Sequence, residues 1–227
     1  MSLVKVIAFD LDDTLLDTSG LLVPRAAERA CQAMLNAGLQ CTLEQCLTDR
    51  ETLAKELSHR EIFAQIASKY GATNSSSAIE GALKEFYNPQ IPDQLPLLPG
   101  ALENLEILKN RYSLYLVTMG SLPAQQRKIQ SLGIASFFKE IFILDSFKGE
   151  RKETAFRKII AQENILPWQL LSVGNRLSSE IRDGKICGGQ TCYFAYGEHV
   201  GEHPTVPEDQ PDVTIFSHKE LLSACAL

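Results

Sequence analysis

Val4-Lys5-Val6-Ile7-Ala8-Phe9-Asp10-Leu11-Asp12-Asp13-Thr14-Leu15-Leu16 is the stretch from which the rest of the chain is read. Five of its first six residues are apolar, and Val4, Val6 and Ile7 are β-branched. A run of this kind predicts a strand buried on both faces of a parallel sheet. It breaks off into Asp10, Asp12 and Asp13. Burial of the apolar part therefore presents the acids at the strand's carboxyl end, where open α/β sheets bind ligands. Side chains alternate along extended backbone, so Asp10 and Asp12 point the same way into one small volume. Two like charges that close become tolerable when a cation sits between them or when one carboxyl is protonated. A hard divalent ion, Mg²⁺ above all, suits an all-oxygen site of this kind. The same five residues, Asp10 to Thr14, also read as a solvated turn or a helix cap, since so short a motif recurs by chance. A calcium-binding EF-hand loop opens Asp-x-Asp too, but needs Gly at its sixth position and Glu at its twelfth. Those positions hold Leu15 and Leu21, which excludes it.

The chain has 227 residues, long enough to bury a substantial core as one domain or as a domain carrying a large insert. With 44% apolar and 22% charged residues it has the composition of a soluble globular protein. A net charge of −6 argues against a nucleic-acid-binding surface. No apolar run approaches the roughly 20 residues of a membrane span, and the amino terminus passes straight into a strand, so no signal peptide is expected. Cys31, Cys41, Cys46, Cys187, Cys192 and Cys225 form no Cys-x-x-Cys pair and have no His at zinc spacing. They read as small buried hydrophobes in a reducing compartment, which predicts a cytoplasmic location.

Beyond Thr14 the periodicity turns helical for about eighty residues. Pro24 opens one helix, stopped by Gly38; Thr42 with Gln45 makes a capping-box start for a second, reaching about Leu57. A third runs through Ile62, Phe63 and Ile66 to Gly71, and a fourth from Ser76 or Ser77 through Phe86. The passage Pro89–Pro99 then changes style. From Gly100 strands and helices alternate. Strands are predicted at 114–117, 141–144, 170–173, 191–196 and 213–216. Helices are predicted at 101–110, 123–132, 154–163, 179–187 and after Ser217. Alternation at this spacing implies βα crossovers and a mostly parallel, doubly wound α/β sheet. Residues 1–17 and 96–227 are expected to form that core and residues 18–95 a helical insert with a core of its own.

Several strand ends carry polar residues on the ligand edge: Asp10 and Asp12, Thr118 with Ser121, and Gly174-Asn175 with Glu180 a turn later; Lys152 follows the third strand. Singly, Thr118 is a strand-end hydroxyl and Lys152 a solvated charge. Together, a nucleophilic carboxylate, a second acid, a hydroxyl, an ammonium and further oxygens make a phosphoryl-transfer set. At this point the chain resembles the haloacid dehalogenase superfamily of hydrolases. Asp10-Leu11-Asp12-Asp13-Thr14-Leu15 is similar to that family's first motif, Val117-Thr118-Met119 to its second, Lys152 to its third and Val173–Ile181 to its fourth. The helical insert stands where the family's first type of cap stands.

The resemblance implies a Rossmann-like core and a phosphatase acting on a small phosphorylated substrate, with no nucleic-acid or membrane partner. By that analogy Asp10 attacks phosphorus, while Asp12 protonates the leaving oxygen and then activates water. Thr118 and the neighbouring Met119 and Gly120 hold phosphate oxygens, and Lys152 steadies Asp10. Mg²⁺ is bound by Asp10, the backbone carbonyl of Asp12, Asn175 and Glu180, and the cap closes over the substrate. Two departures stand out. The fourth motif opens Gly174-Asn175 where the family has Gly-Asp, which removes a negative charge from the metal site. In the third, Lys148 competes with Lys152. Three other readings stay open. One is a phosphoacceptor signalling module, disfavoured because its acceptor follows a later strand. Another is a binding protein that has lost the metal. The third is a different reaction on the same core, such as phosphomutase, phosphonatase or dehalogenase chemistry. No motif specifies an oligomeric state.

Overall fold

The computed structural model describes residues 3–54, 57–71, 74–145 and 148–227. Its six strands are β1 Val6–Phe9, β2 Ser113–Met119, β3 Glu140–Leu144, β4 Leu170–Gly174, β5 Gln190–Phe194 and β6 Val213–Ile215. All run parallel in the order β3-β2-β1-β4-β5-β6. The first strand is central: Phe9 stands opposite Leu116 of β2 on one side and Val173 of β4 on the other. The chain winds outward to β3, then returns to lay β4 on the far side of β1. The order therefore reverses beside β1, and such a switch point is where an open α/β sheet has its crevice. Asp10 is the first residue past the end of β1.

Alternation fixes which residues reach which face of the sheet. Ile7, Phe9, Leu116 and Val173 pack with Leu105 of α6 (Ala101–Leu108) and Leu221 of α10 (His218–Ala224). Val6, Ala8, Tyr115 and Val117 pack on the opposite face with Phe156 and Ile159 of α8 (Lys152–Gln162). A strand apolar at every position is thus accounted for by helices on both faces.

Inter-residue contacts divide the chain into two units, Met1–Ser19 with Pro92–Leu227, and Gly20–Ile91. The first bears the sheet. The second is helical: after the short turn α1 (Thr18–Leu21), which enters it, come α2 (Val23–Asn36), α3 (Leu43–Leu53), α4 (His59–Tyr70) and α5 (Ser75–Tyr87). Its own core gathers Ala30, Cys31, Met34, Ile62, Phe63 and Ala82. Reciprocal capping boxes start α3 (Thr42 with Gln45) and α4 (Ser58 with Glu61), satisfying otherwise orphaned first-turn donors. The second predicted helix ends earlier than the sequence pattern suggests, at Leu53, and residues 55–56 lie outside the described set.

The contact boundaries differ from the sequence-based ones by a few residues at each end, for a local reason. Thr18 and Ser19 bond to Asp12 and Asp13, while the Pro92 carbonyl accepts from Ser131 and the Leu95 amide donates to the Ser131 carbonyl of α7 (Leu122–Leu132). Among the described residues no helix is long and apolar enough to cross a membrane, and all six cysteines are free thiols.

Candidate active site

Four segments bring the predicted polar residues to the carboxyl edge of the sheet. Asp10 is buried past β1 and receives a hydrogen bond from Lys152 Nζ at 2.5 Å. The same ammonium lies 2.5 Å from Glu180 Oε1. Lys152 is only 1% exposed, and lysine is almost never so buried unless paired. It is the first residue of α8, which begins two residues before the sequence pattern places it. A cation in a first helical turn opposes the helix dipole, so the two carboxylates, not the helix, hold it there. Asp183, from α9 (Arg182–Ile186), makes the early start possible by accepting the Glu153 amide and the Arg151 guanidinium. Lys148, the competing candidate, is 73% exposed in its side chain and pairs with Asp145 at 3.4 Å.

Glu180 reaches the site through a π-helical turn, Leu177–Ile181, where the sequence pattern places the start of an ordinary helix. The wider turn folds its side chain back over Gly174. A Cβ at Gly174 would fall 2.1 Å from Glu180 Cγ, so a larger residue would push the acid away. Oε2 of Glu180 accepts the Arg176 amide at 3.0 Å. Each oxygen thus has one partner, and Glu180 braces Lys152. Asn175 is buried, and its Nδ2 donates to the Tyr196 carbonyl at 3.2 Å, which leaves Oδ1 as the atom a metal could use.

Asp12 is placed differently. Its side chain is 28% exposed. Oδ1 accepts from Lys128 Nζ at 2.6 Å and Thr18 Oγ1 at 2.5 Å, and Oδ2 accepts from Gln125 Nε2 at 2.7 Å. Thr118 is fully buried at the end of β2, its Oγ1 3.1 Å from the same Gln125 nitrogen. Met119 offers Gln125 its carbonyl at 2.7 Å. The Gly120 amide is spent on the Leu144 carbonyl, so Gly120 contributes shape where a phosphate-binding amide was expected. Ser121 Oγ, buried at the same strand end, has no hydrogen-bond partner among the described residues.

Gln125 and Lys128 escape a reading by motifs, because they sit mid-helix on α7 with ordinary helical neighbours. Asp13 stands inside the first motif, but the motif assigns it no role. It takes a positive φ of 52° and accepts from the Ser19 amide at 2.8 Å and the Glu198 amide at 3.2 Å. Gly197 lies so close that a Cβ there would come 2.2 Å from Asp13 Cγ. Residues 196–198 therefore touch the first motif through Asp13 and the fourth through Asn175.

The electrostatics follow from these contacts. Burial, only partly offset by Lys152 and reinforced by Glu180 and Asp12, lifts the Asp10 carboxyl to about 7. Glu180 is held below the ordinary range: burial opposes this, and Lys152 outweighs it. Burial likewise opposes protonation of Lys152, but Asp10 and Glu180 together raise its proton affinity. One ammonium serves two buried carboxylates, so this corner lacks a positive charge. Among the described residues no group of three or more His, Cys, Asp or Glu side chains is arranged to hold a metal. What the site offers is a carboxylate at Asp10, an amide oxygen at Asn175 and the adjacent backbone of Asp12. Mg²⁺ takes such a set, one or two carboxylates with water completing the octahedron, and its charge fits the deficit.

Known proteins share the fold that carries these residues. Residues 7–192 match the family model of haloacid dehalogenase-like hydrolases. The chain belongs to that family. Within it, the chain is 31% identical over 201 residues to a glyceraldehyde 3-phosphate phosphatase of Pyrococcus abyssi, covering 86% of this chain and 83% of the relative. It is 26% identical to the pyrimidine 5'-nucleotidase PynA of Streptococcus pneumoniae, covering 96% and 93%. Among solved folds of these hydrolases, the magnesium-bound YfnB of Bacillus subtilis superposes with a TM-score of 0.69 over 99% of both chains at 21% identity.

Proposed function

We propose that this hydrolase is an Mg²⁺-dependent phosphatase that cleaves a small phosphorylated metabolite through an aspartyl-phosphate on Asp10. The observation that carries the reading is the buried Asp10–Lys152–Glu180 cluster at the sheet's switch point. A carboxylate oriented by an ammonium that is itself braced is a positioned nucleophile. The two phosphatase relatives act, by name, on different phosphate esters, as expected where one core serves many leaving groups.

In this mechanism Asp10 attacks phosphorus, and the bond from phosphorus to the ester oxygen breaks. Asp12 delivers a proton to that oxygen. The negative phosphate raises the proton affinity of Asp12 once substrate is bound, against the pull of Lys128. Asp12 then takes a proton from water as the hydroxide displaces Asp10, releasing inorganic phosphate and restoring the carboxylate. Lys152 and the Thr118 and Ser121 hydroxyls stabilise charge on the phosphoryl oxygens. Asp10, the Asp12 carbonyl and Asn175 would hold Mg²⁺, which would supply charge neutralisation at the transferring group.

The direct test is hydrolysis of p-nitrophenyl phosphate with Mg²⁺ and with EDTA. Activity should require the metal and fall by about 10⁴-fold or more in Asp10→Asn. A purified protein inactive at every Mg²⁺ concentration favours the binding-protein reading, which the exchange of Asp for Asn at position 175 keeps in view.

A further inference from the structure

The α7 face behind Asp12 touches no substrate atom in the mechanism above, yet two of its side chains converge on Asp12. Gln125 and Lys128 are three residues apart, so they lie on one face of the helix. Both are at least nine-tenths buried. Lys128 Nζ reaches Asp12 Oδ1, and Gln125 Nε2 reaches Asp12 Oδ2, so each carboxylate oxygen is fixed by a different donor. Gln125 Nε2 also meets Thr118 Oγ1 and the Met119 carbonyl, which refers the position of Asp12 to the end of β2. Gly120 admits this amide: its φ is +149°, and a Cβ there would come 2.8 Å from Gln125 Nε2.

Stability alone is a poor account of this arrangement. An ion pair with one partner in the interior and the other 28% exposed gains little over solvated charges. Gln125 Oε1, moreover, is buried with no hydrogen-bond partner among the described residues, an uncompensated cost. What the contacts do secure is the direction of the Asp12 carboxylate.

We infer that Gln125 and Lys128 are positioning residues that hold Asp12 in register with Thr118 for proton transfer to the leaving group. The inference rests on the acid–base role assigned to Asp12. Its signature is a dependence on leaving-group basicity, because nitrophenolate departs with little help from an acid and phenolate does not.

The experiment measures Mg²⁺-loaded protein on p-nitrophenyl phosphate and phenyl phosphate, for Lys128→Met and for Gln125→Leu. Each is also combined with Asp12→Asn. Lys128→Met and Gln125→Leu should each lower kcat on phenyl phosphate by about 10- to 100-fold, with a clearly smaller loss on the nitrophenyl ester and KM within about threefold. In the Asp12→Asn background the same changes should cost less than about threefold on the nitrophenyl ester, because residues acting as a unit are non-additive. Equal losses on both esters, or an undiminished loss in the Asp12→Asn background, would show a purely structural role and overturn the inference. If wild type is active and Asp12→Asn matches it on both esters, the acid–base reading fails, and this inference with it.

Discussion

Asp10 and Asp12 are the same residue two positions apart, each with a lysine against it, and the fold treats them in opposite ways. Asp10 is dry, shares its lysine with Glu180, and is lifted to about 7, first by burial. Asp12 is part-solvated, with Lys128, the Gln125 amide and the Thr18 hydroxyl against it. Burial raises its proton affinity, but Lys128, Gln125 and Thr18 together take it below the ordinary carboxylate value. The difference shows that a lysine nearby does not decide the state of a carboxylate. The number of acids sharing the lysine, and the water left around it, decide that. Carboxylates whose environments diverge in this way are suited to different roles in one reaction.

The sharpest way to break the comparison is to remove the shared lysine. Lys152→Met leaves two buried carboxylates uncompensated. It should lower kcat by about 10³-fold and destabilise the metal-free fold by about 3–5 kcal/mol, read by urea unfolding in EDTA. Retained activity with an unchanged unfolding midpoint would mean that Asp10 does not depend on that ammonium.

Restoring a charge on the metal side is a smaller perturbation. Asn175→Asp adds a carboxylate where an amide oxygen now stands, and should lower the Mg²⁺ concentration for half-maximal activity by about tenfold. An unchanged or weakened response in the titration would remove Asn175 from the ligand set.

The two aspartates should also oppose each other in the pH dependence of stability. With its native value near 7 and its ordinary value 3.8, Asp10 keeps a proton in the fold that the unfolded chain has lost. Its contribution is full below about pH 4 and disappears as pH rises through about 7. Asp12, lowered in the fold, contributes above its ordinary value and loses that contribution on acidification. Urea midpoints in EDTA should therefore fall between pH 5 and pH 8, and Asp10→Asn should flatten that fall; a slope identical to wild type would assign it to other groups. Smallest of all is the expected effect of Lys148→Met. Lys148 is exposed and only loosely paired with Asp145, so activity should stay within about twofold. A loss larger than that of Lys152→Met would reverse the assignment of the two lysines.

Much of this was legible in the chain because it depends on local pattern. The all-apolar strand ending in Asp10, the alternation from Gly100 onward, and the periodicity of residues 18–95 each state how a segment buries its surface, and burial is nearly a local property of sequence. The parallel α/β sheet follows from these, and the order of the four motifs follows the strands. The predicted start of the helix after Lys152 was late because its cap, Asp183, lies some thirty residues away. The π-helical turn that delivers Glu180 was likewise invisible, since its cause is the space above Gly174.

By itself, then, the sequence determined the strands, the helices and the edge of the sheet on which the acids stand. Only the tertiary structure decided which lysine serves Asp10, that Glu180 braces that lysine, and that Gln125 and Lys128 fix Asp12. The physical reason is that periodicity reports which side of an element is buried. A charge's partner is set by three-dimensional proximity between residues far apart in the chain, 142 positions for Asp10 and Lys152.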